Sequence, residues 1–289
     1  MKKVFIVTDS NCGITQDRAK ELGIFVVPMP VIIDSEEYFE DITLSQEKFY
    51  ELLTSGADVS TSQPSPETVM KYWDDALNEA ESLVYIPMSS GLSGSYQTAR
   101  MLSMEDDYEG KVFVVNNQRI SVTMRQSVMD AIKLADEGKS AEEIANILEE
   151  DKFNSSIYIM MDTLNYLKRG GRLTSAVASL SAMLKIKPVL QIQGEKLDAF
   201  SAVRTLSQGK SVMMNAVEKD ITKRFNCDAS GKGMKIMVAH TQNLENALAF
   251  EEDIKKRFPE AETYVDVLTL SISCHIGPGA LAIACTKNL

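Results

Sequence analysis

Short apolar runs alternate with helical patterns in the first half of the chain. The runs Lys3–Val7, Ser82–Pro87 and Val112–Val115 have the length of buried strands. Between them, apolar positions recur at helical spacing. Strands separated by helices predict a parallel sheet with crossover helices. The predicted helices are Gln16–Leu22, Leu44–Leu53, Pro66–Ala80, Ser95–Met104, Val122–Leu134 and a helix that a capping box at Ser140-Ala-Glu-Glu143 opens and that runs to Leu148.

One apolar stretch of this half, Phe25–Ile33, is interrupted by Pro28 and Pro30. Proline lacks the backbone N–H that a sheet ladder needs, so it is tolerated mainly at sheet edges and bulges. The stretch is therefore predicted to be a single strand that lies at an edge or carries a bulge.

The second half has a different pattern, in which strands follow one another in pairs. Val189–Gln193 and Lys196–Ala202 are predicted to pair across the turn at Gly194-Glu195. Such pairs predict a mixed, largely antiparallel sheet. The polar stretch Glu149–Asn154 separates the two patterns, so the chain is predicted to form two α/β domains, residues 1–152 and 153–289. The other predicted elements are the strands Ser156–Met161, Met234–Ala239, Thr263–Leu268 and Ala280–Cys285 and the helices Leu173–Leu184, Leu206–Phe225 and Asn243–Arg257.

Composition narrows the classes of function. Of the 289 residues, 44% are apolar and 25% are charged, as in ordinary globular proteins. The net charge of −11 (30 basic against 41 acidic residues) argues against nucleic-acid binding and against attraction to an anionic bilayer. The first apolar run, Val4–Val7, is shorter than the about 7–15 residues of a signal-peptide core, and no run approaches the ~18 of a membrane span. A cytoplasmic protein without stable membrane insertion is predicted.

Metal and redox chemistry have little support in the sequence. The four cysteines are scattered, none with Cys-x-x-Cys spacing, and there are only two histidines. Reduced thiols and the absence of a metal site are predicted. The 15 methionines stand out against a single tryptophan. Methionine fills irregular apolar space.

Two loops near strand ends carry polar groups. Thr8-Asp9-Ser10-Asn11 follows the first strand, where ligands of open α/β sheets gather, but it lacks the Gly-x-Gly-x-x-Gly spacing of a dinucleotide site. The alternative is a helix-capping turn. In the second loop, Ser65 and Pro66 form a good N-cap and first helical residue. That role leaves Thr61 and Ser62 unexplained, unless they belong to a solvated loop.

The segment Ser89–Ser95, which we call the serine loop, has four serines and two glycines in seven residues between a strand and a helix. Glycine allows close backbone approach, and hydroxyls and helix-start amides can converge on one anion. The loop therefore predicts a site for a phosphate or a carboxylate. The alternative is a capping loop.

Two further segments come from the second half. In His275-Ile276-Gly277-Pro278-Gly279-Ala280, the histidine segment, a lone histidine precedes a sharply shaped turn. It is interpreted as functional or as a satisfied structural residue. The run Lys168–Arg172 is the one basic cluster, and it suits an anion or a partner's acidic surface, or is simply an exposed turn.

Taken in order, these segments resemble the signature segments of the DegV family across almost the whole chain. Any one of them is weak, whereas five in the family's order are specific. The segments that carry the resemblance are Thr8-Asp9-Ser10, Thr61-Ser62-Gln63-Pro64-Ser65, Ser89-Ser90-Gly91-Leu92-Ser93-Gly94, Leu167-Lys168-Arg169-Gly170-Gly171-Arg172 and His275-x-Gly277-Pro278-Gly279-Ala280.

The resemblance implies a two-domain α/β protein that binds one long-chain fatty acid. The acyl chain is expected inside the protein, with its carboxylate at the cleft between the domains. Members of the family act as the fatty acid-binding subunit of a bacterial fatty acid kinase. They present the carboxylate to a separate ATP-dependent kinase subunit, which makes acyl phosphate for phospholipid synthesis. On this pattern the chain has no activity and no cofactor of its own.

The same resemblance assigns roles to particular residues. Ser93, followed by Gly94, is expected to hold the carboxylate through its hydroxyl and its amide, and Thr61 to donate a second hydrogen bond. Ser62 and His275 are expected to support it, directly or through water. Three further residues are expected to be secondary or to face the partner: Arg204, Gly277 and Ser10.

Some residues depart from the family pattern. Asn116-Asn117 stands where many members have Asp-Ser, and Met124-Arg125-Gln126 replaces glycines that are common there. Ile276 takes the place of a frequent threonine and Ala282 that of a frequent glycine. These departures leave the preferred acyl chain and the kinase pairing open.

Two alternatives to the carrier stay open. The first is a phosphotransfer enzyme of the dihydroxyacetone-kinase kind, with His275 as a substrate or phosphoryl site. The second is a regulatory protein that senses lipid and binds a partner. For a carrier, Met160, Met161 and Met183 are candidates to line a deformable apolar tunnel, and the negative charge would favour release from anionic membranes.

Overall fold

The structure is a computed structural model that describes residues 2–182 and 185–289. The chain divides into two compact units. Their residues are those up to Lys152 with Thr269–Ser271 in the first unit, and Phe153–Leu268 with Ile272–Leu289 in the second.

The first unit contains a four-stranded parallel sheet in the order β2-β1-β6-β7 and a three-stranded antiparallel sheet in the order β4-β3-β5. Its strands are β1 (Lys2–Asp9), β2 (Phe25–Val27), β3 (Pro30–Ile33), β4 (Glu36–Phe39), β5 (Val59–Thr61), β6 (Ala80–Ile86) and β7 (Val112–Val114). Its helices are α1 (Gln16–Leu22), α2 (Gln46–Ser55), α3 (Pro66–Leu77), α4 (Ser95–Leu102), α5 (Ser121–Asp136) and α6 (Ala141–Asp151).

The predicted parallel sheet is confirmed, but the single strand Phe25–Ile33 is wrong. The stretch divides into β2 at the edge of the parallel sheet and β3 in the small antiparallel sheet. The break lies at Pro28 and Met29, and the Met29 amide donates to Ser10 Oγ at 3.0 Å instead of to a strand. The short strands β4 and β5 were not predicted, because three or four half-exposed residues leave no clear periodicity.

Side-chain caps set where several helices begin. Thr15, Ser45 and Ser65 each accept a hydrogen bond from a first-turn amide of the helix that follows. The predicted capping box of Ser140 and Glu143 is confirmed, with both reciprocal bonds present. The predicted helix Pro66–Ala80 is too long, since α3 ends at Leu77 and Ala80 begins β6.

The second unit contains one six-stranded sheet in the order β10-β9-β8-β13-β11-β12, in which only β11 and β12 run parallel. Its strands are β8 (Ser155–Met160), β9 (Lys187–Ile192), β10 (Leu197–Val203), β11 (Met234–His240), β12 (Glu262–Val267) and β13 (Leu281–Lys287). Its helices are α7 (Asn165–Arg169), α8 (Ser175–Ala178), α9 (Leu206–Lys219), α10 (Leu244–Arg257) and α11 (Leu270–Ile276), the last beginning among residues grouped with the first unit.

The mixed sheet and the pairing of β9 with β10 confirm the prediction, whereas two helices differ. The predicted helix Leu173–Leu184 is instead the short helix α8 followed by a 3-10 turn at Ser179–Ala182, and Leu184 lies outside the described residues. Helix α9 gives way to a π-helical turn at Asp220–Arg224. There the Asp220 carboxylate is buried and accepts the Tyr158 hydroxyl proton at 2.6 Å, so a tertiary contact shapes the turn.

Each unit has its own apolar core. Trp73 and Tyr85 lie at the centre of the first, and Met213 and Phe250 at that of the second. Met160 belongs to the second core and Met161 is fully buried, whereas Met183 lies outside the described residues. Their role as a tunnel lining stays a prediction. Among the described helices, none is both long and apolar enough for a membrane crossing.

Candidate functional site

The carboxyl ends of the parallel strands meet at a topological switch point between β1 and β6. From these two central strands the chain proceeds in opposite directions, to β2 and to β7. Ligands of open α/β sheets bind at such a point. Here Asp9, at the end of β1, accepts a hydrogen bond at 2.8 Å from the amide of Met88, which follows β6. Asp9 therefore ties the two loops together.

Asp9 is fully buried, and burial raises its pKa to about 6. Bonds from Met88 and from the amide and side chain of Asn11 act against that rise. The carboxylate also caps the short 3-10 helix at Ser10–Cys12, so the capping interpretation describes this loop. The Ser10 hydroxyl accepts the amide proton of Met29, and its predicted secondary role stays a prediction.

The serine loop is folded by its own backbone. The Ser89 carbonyl accepts the amides of Leu92 and Ser93 at 3.0 and 3.2 Å. The Ser93 hydroxyl accepts the Ser95 amide at 3.2 Å and lies 2.9 Å from the Ser95 hydroxyl. Helix α4 begins at Ser95, and the first amides of a helix lack intrahelical acceptors. The loop thus places hydroxyl and amide donors beside a helix start, which suits an anion.

The Ser93 amide has a partner within the loop, and the expected role of Ser93 stays a prediction. The resemblance implies that both its hydroxyl and its amide hold a carboxylate, but the amide donates to Ser89. The hydroxyl is the group that remains. When the Ser95 hydroxyl donates to the Ser93 oxygen, the Ser93 proton is available for an external acceptor.

The Thr61–Pro66 segment lies against helix α4. Gln63 Nε2 donates to Thr98 Oγ1 at 3.0 Å. A Cβ on Gly94 would come within 2.8 Å of Gln63 Oε1. Two segments that the sequence proposed separately, one around Thr61 and one around Ser93, are therefore brought together.

The neighbouring residues Thr61 and Ser62 differ in their exposure and in their backbone hydrogen bonds. Thr61 ends β5, where it pairs with Val31 of β3, and it is half-buried. Ser62 is exposed, and its amide donates to the Pro30 carbonyl at 3.3 Å. Backbone pairing therefore holds this segment from the side of the small antiparallel sheet.

A buried ion pair that sequence reasoning missed supports the serine loop. The Ser89 amide donates to the Arg119 carbonyl at 2.9 Å. The Arg119 guanidinium, only 2% exposed, contacts the Asp151 carboxylate at 2.8 Å and the Ser127 hydroxyl at 3.0 Å. Nothing local distinguishes Arg119 from the other basic residues. The divergent Asn117 lies beside it and accepts the Arg119 amide.

In the second unit, the basic segment packs directly against the histidine. His275 lies near the end of helix α11, directly before the Gly-Pro-Gly turn as predicted, and a Cβ on Gly170 would come within 1.9 Å of its Nδ1. Likewise, a Cβ on Gly277 would come within 2.2 Å of the Tyr166 ring. Two predicted segments again meet, here through glycines that leave room for rings.

The His275 imidazole is neutral at physiological pH. Burial, and to a lesser extent the positive charge of Arg172, lowers its pKa to about 4. The side chains of Lys168 and Arg169 are exposed in the last turn of α7. His275 can therefore take part in a neutral hydrogen bond but does not supply a positive charge.

Arg204 lies in the exposed connection between β10 and α9. Its backbone amide donates to Gln208 Oε1 at 3.0 Å, which fixes the start of α9. Its expected partner-facing role stays a prediction. Among the described residues, no group of three or more His, Cys, Asp or Glu side chains is arranged to hold a metal ion.

Residues 3–288 match the model of a family described as "Uncharacterised protein, DegV family". This chain belongs to the DegV family. The resemblance carried by the five segments is thereby confirmed. Protein DegV of Bacillus subtilis is 29% identical over 283 residues, which cover 97% of this chain and 98% of that protein. A DegV domain-containing protein of Clostridium acetobutylicum is 30% identical over 284 residues, covering 97% and 96%.

Two solved DegV structures share the fold over nearly their whole length. One, a DegV family protein from Thermus thermophilus described for its fatty acid binding, is 27% identical with a TM-score of 0.88 and 99% of each chain covered. The other, DegV from Bacillus subtilis, described as a fatty acid binding protein, is 27% identical with a TM-score of 0.86 and full coverage of both chains. The predicted α/β class, with one parallel and one mixed sheet, is that of the DegV fold.

Proposed function

We propose that this DegV protein binds one long-chain fatty acid and holds its carboxylate with the hydroxyls of Ser93 and Thr61 and the first amides of α4. The observation that carries the proposal is the Gln63–Thr98 contact, which joins the two hydroxyl-bearing segments at one helix start. The fatty acid binding described for two relatives of matching length supports it.

Hydroxyls and amides suit a carboxylate that must remain reactive. Charge-assisted hydrogen bonds contribute about 1.5–3 kcal/mol each, and the positive end of α4 adds to them. Because none of these donors carries a full charge, the carboxylate oxygen keeps its nucleophilicity toward ATP. A neutral His275 fits the supporting role that we assign to it, together with Ser62.

The acyl chain supplies most of the affinity. Burial of a methylene contributes roughly 0.8 kcal/mol, so about fifteen methylenes give about 12 kcal/mol before ordering costs. That gross value corresponds to nanomolar binding or weaker. Buried methionines such as Met161 offer a deformable apolar lining.

Phosphoryl transfer is assigned to a partner. The protein presents the carboxylate to a separate ATP-dependent fatty acid kinase and is not itself the catalyst. We assign Arg204, exposed beside the start of α9, to the contact with that kinase. Because the proposed partner kinase uses ATP, we assign the proposed phosphoryl transfer to the cytoplasm.

Mass spectrometry of a denatured, solvent-extracted sample tests the carrier function. We expect one fatty acid per chain, and its mass also names the ligand. A protein that carries no lipid and acquires none from oleate or palmitate would contradict the proposal. Phosphohistidine at His275, or phosphorylation of a triose without a second protein, would instead support the phosphotransfer alternative. Binding of lipid and of a partner without acyl phosphate formation would support a sensor.

A further inference from the structure

The Gln63 side chain occupies a space that any larger residue at position 94 would fill. Its Oε1 lies 2.8 Å from the place of a Gly94 Cβ, and its Nε2 bonds to Thr98 one turn further along α4. One amide thus lies over the first turn of the helix and contacts it at two points.

The backbone at Gly94 does not itself require glycine. Its φ of −73° lies in the right-handed helical region, which every residue adopts readily. A side chain at position 94 would therefore meet Gln63 in space, and the end of the Gln63 side chain would have to move. This separates Gly94 from glycines of the chain that have a positive φ, such as Gly171.

Along the chain, Gln63 and its neighbour in space, Gly94, each lie close to a residue with a predicted binding hydroxyl. Thr61 lies two residues before it, at the end of β5, and Ser93 lies directly before Gly94. The segment is held from one side by pairing of β5 with β3 and from the other by the Gln63 amide. Beyond Gln63 the segment continues into the cap of α3 at Ser65, so the Gln63 amide supplies the side-chain hydrogen bond to α4.

We propose that Gln63 is a positioning residue: its amide clasps the Thr61–Ser65 segment onto helix α4 over Gly94 and so holds the hydroxyls of Thr61 and Ser93 in one arrangement for a carboxylate. The inference rests on the proposed fatty acid binding. Donors that are already in place need less ordering when the ligand binds, and preorganisation of this kind raises affinity.

A double-mutant cycle on palmitate binding tests the clasp. Gln63→Ala removes the amide, and Gly94→Ala displaces it. Each is expected to raise the Kd for palmitate about three- to tenfold, the range that one neutral hydrogen bond spans. In the double variant the alanine at 94 has nothing to displace, so its Kd should equal that of Gln63→Ala alone. Thr98→Val, which removes only the hydroxyl, should fall in the same range.

Ser65→Ala is the matched control in the same segment. The Ser65 hydroxyl caps α3 by accepting the Thr68 amide, so this variant should lower the melting temperature and leave the Kd unchanged. If Ser65→Ala raises the Kd as much as Gln63→Ala does, local stability explains the effect and the proposal is wrong.

Two other outcomes are decisive. The clasp is wrong if the two single changes multiply their effects on the Kd in the double variant. It is also wrong if both single variants bind palmitate with the wild-type Kd. A wild-type protein that does not take up palmitate or oleate would overturn the proposed function instead. The same cycle measured on melting temperature would then still show whether Gln63 and Gly94 are coupled.

Discussion

Hydrogen bonds hold both the serine loop of the first unit and the turn of the histidine segment in the second unit, but only the histidine segment also has a ring in close steric contact with a glycine backbone. Ser89 anchors the serine loop through its backbone amide and carbonyl, and the Asp9 carboxylate accepts the amide of Met88 directly before the loop. In the second unit the His275 ring lies on the Gly170 backbone at a distance that admits no side chain.

The difference predicts different sensitivity to substitution. One neutral hydrogen bond contributes about 0.5–1.5 kcal/mol net, so a loop held by several of them tolerates the loss of one. A close contact between a ring and the backbone does not tolerate a single substitution in this way, because an added methyl group must displace the ring or the chain. The serine loop should therefore lose ligand before it loses its fold, and the histidine segment should lose its fold first.

The largest expected effect is that of Gly170→Ala. The backbone at Gly170, with φ −76°, accepts alanine, but the new methyl group overlaps the His275 ring. We expect the free energy of unfolding in urea to fall by about 3 kcal/mol. Gly171→Ala, with positive φ and open space around it, should cost about 1 kcal/mol. A Gly170→Ala loss that persists in a His275→Ala background would contradict the ring contact.

The next effect concerns ligand, not fold. Ser93→Ala and Thr61→Ala should each weaken fatty acid binding by about 1.5–3 kcal/mol, the contribution of one bond to a charged acceptor. Isothermal titration with oleate measures this, and urea unfolding of the same variants should change by less than about 1 kcal/mol. Loss of stability without loss of affinity would reverse the contrast between the two segments.

Arg204→Ala should affect only the interaction with the partner kinase and not the binding of the fatty acid. A charge at the rim of an interface mainly changes the association rate, so we expect kinase turnover to fall about five- to tenfold at low salt with the bound lipid retained. Lys232→Ala removes another exposed charge of the second unit and should leave turnover unchanged. Unaltered turnover of Arg204→Ala with the cognate kinase would remove this residue from the interface.

The smallest expected effect is a pH dependence in which the two units oppose each other. Asp9, with its pKa raised from 3.8 to about 6, binds more protons when folded, so its contribution to stability falls as pH rises between those values. His275, with its pKa lowered from 6.5 to about 4, binds more protons when unfolded, so its contribution rises with pH across that window. The two largely offset each other between pH 4 and 6.

Single substitutions should separate these slopes. In urea unfolding at stepped pH, Asp9→Asn should make the rise of stability with pH steeper than in the wild type, and His275→Gln should make it shallower. Curves that run parallel to the wild type would show that neither group titrates as its burial implies.

Much of the fold followed from local pattern. Short apolar runs located most strands and helical spacing most helices, and cap residues such as Ser65 and Ser140 marked helix starts, because these signals act within a few residues. The division of Phe25–Ile33 between two sheets did not follow, since it depends on a bond from Met29 to Ser10. Helix α11 was not predicted either, because the residues before the Gly-Pro-Gly turn show no strong helical pattern.

The candidate site shows the same limit. The sequence by itself determined the family and the hydroxyl-rich segments, since these depend on residue types and their order. Only the tertiary structure decided which donors are occupied, as with the Ser93 amide, and which side chains lie against Gly94 and Gly170. Contacts such as Gln63 with Thr98 join residues that are distant in the chain, and the pKa values of Asp9 and His275 are set by burial. Local sequence does not encode such properties, because they arise only when separate segments exclude water around one another.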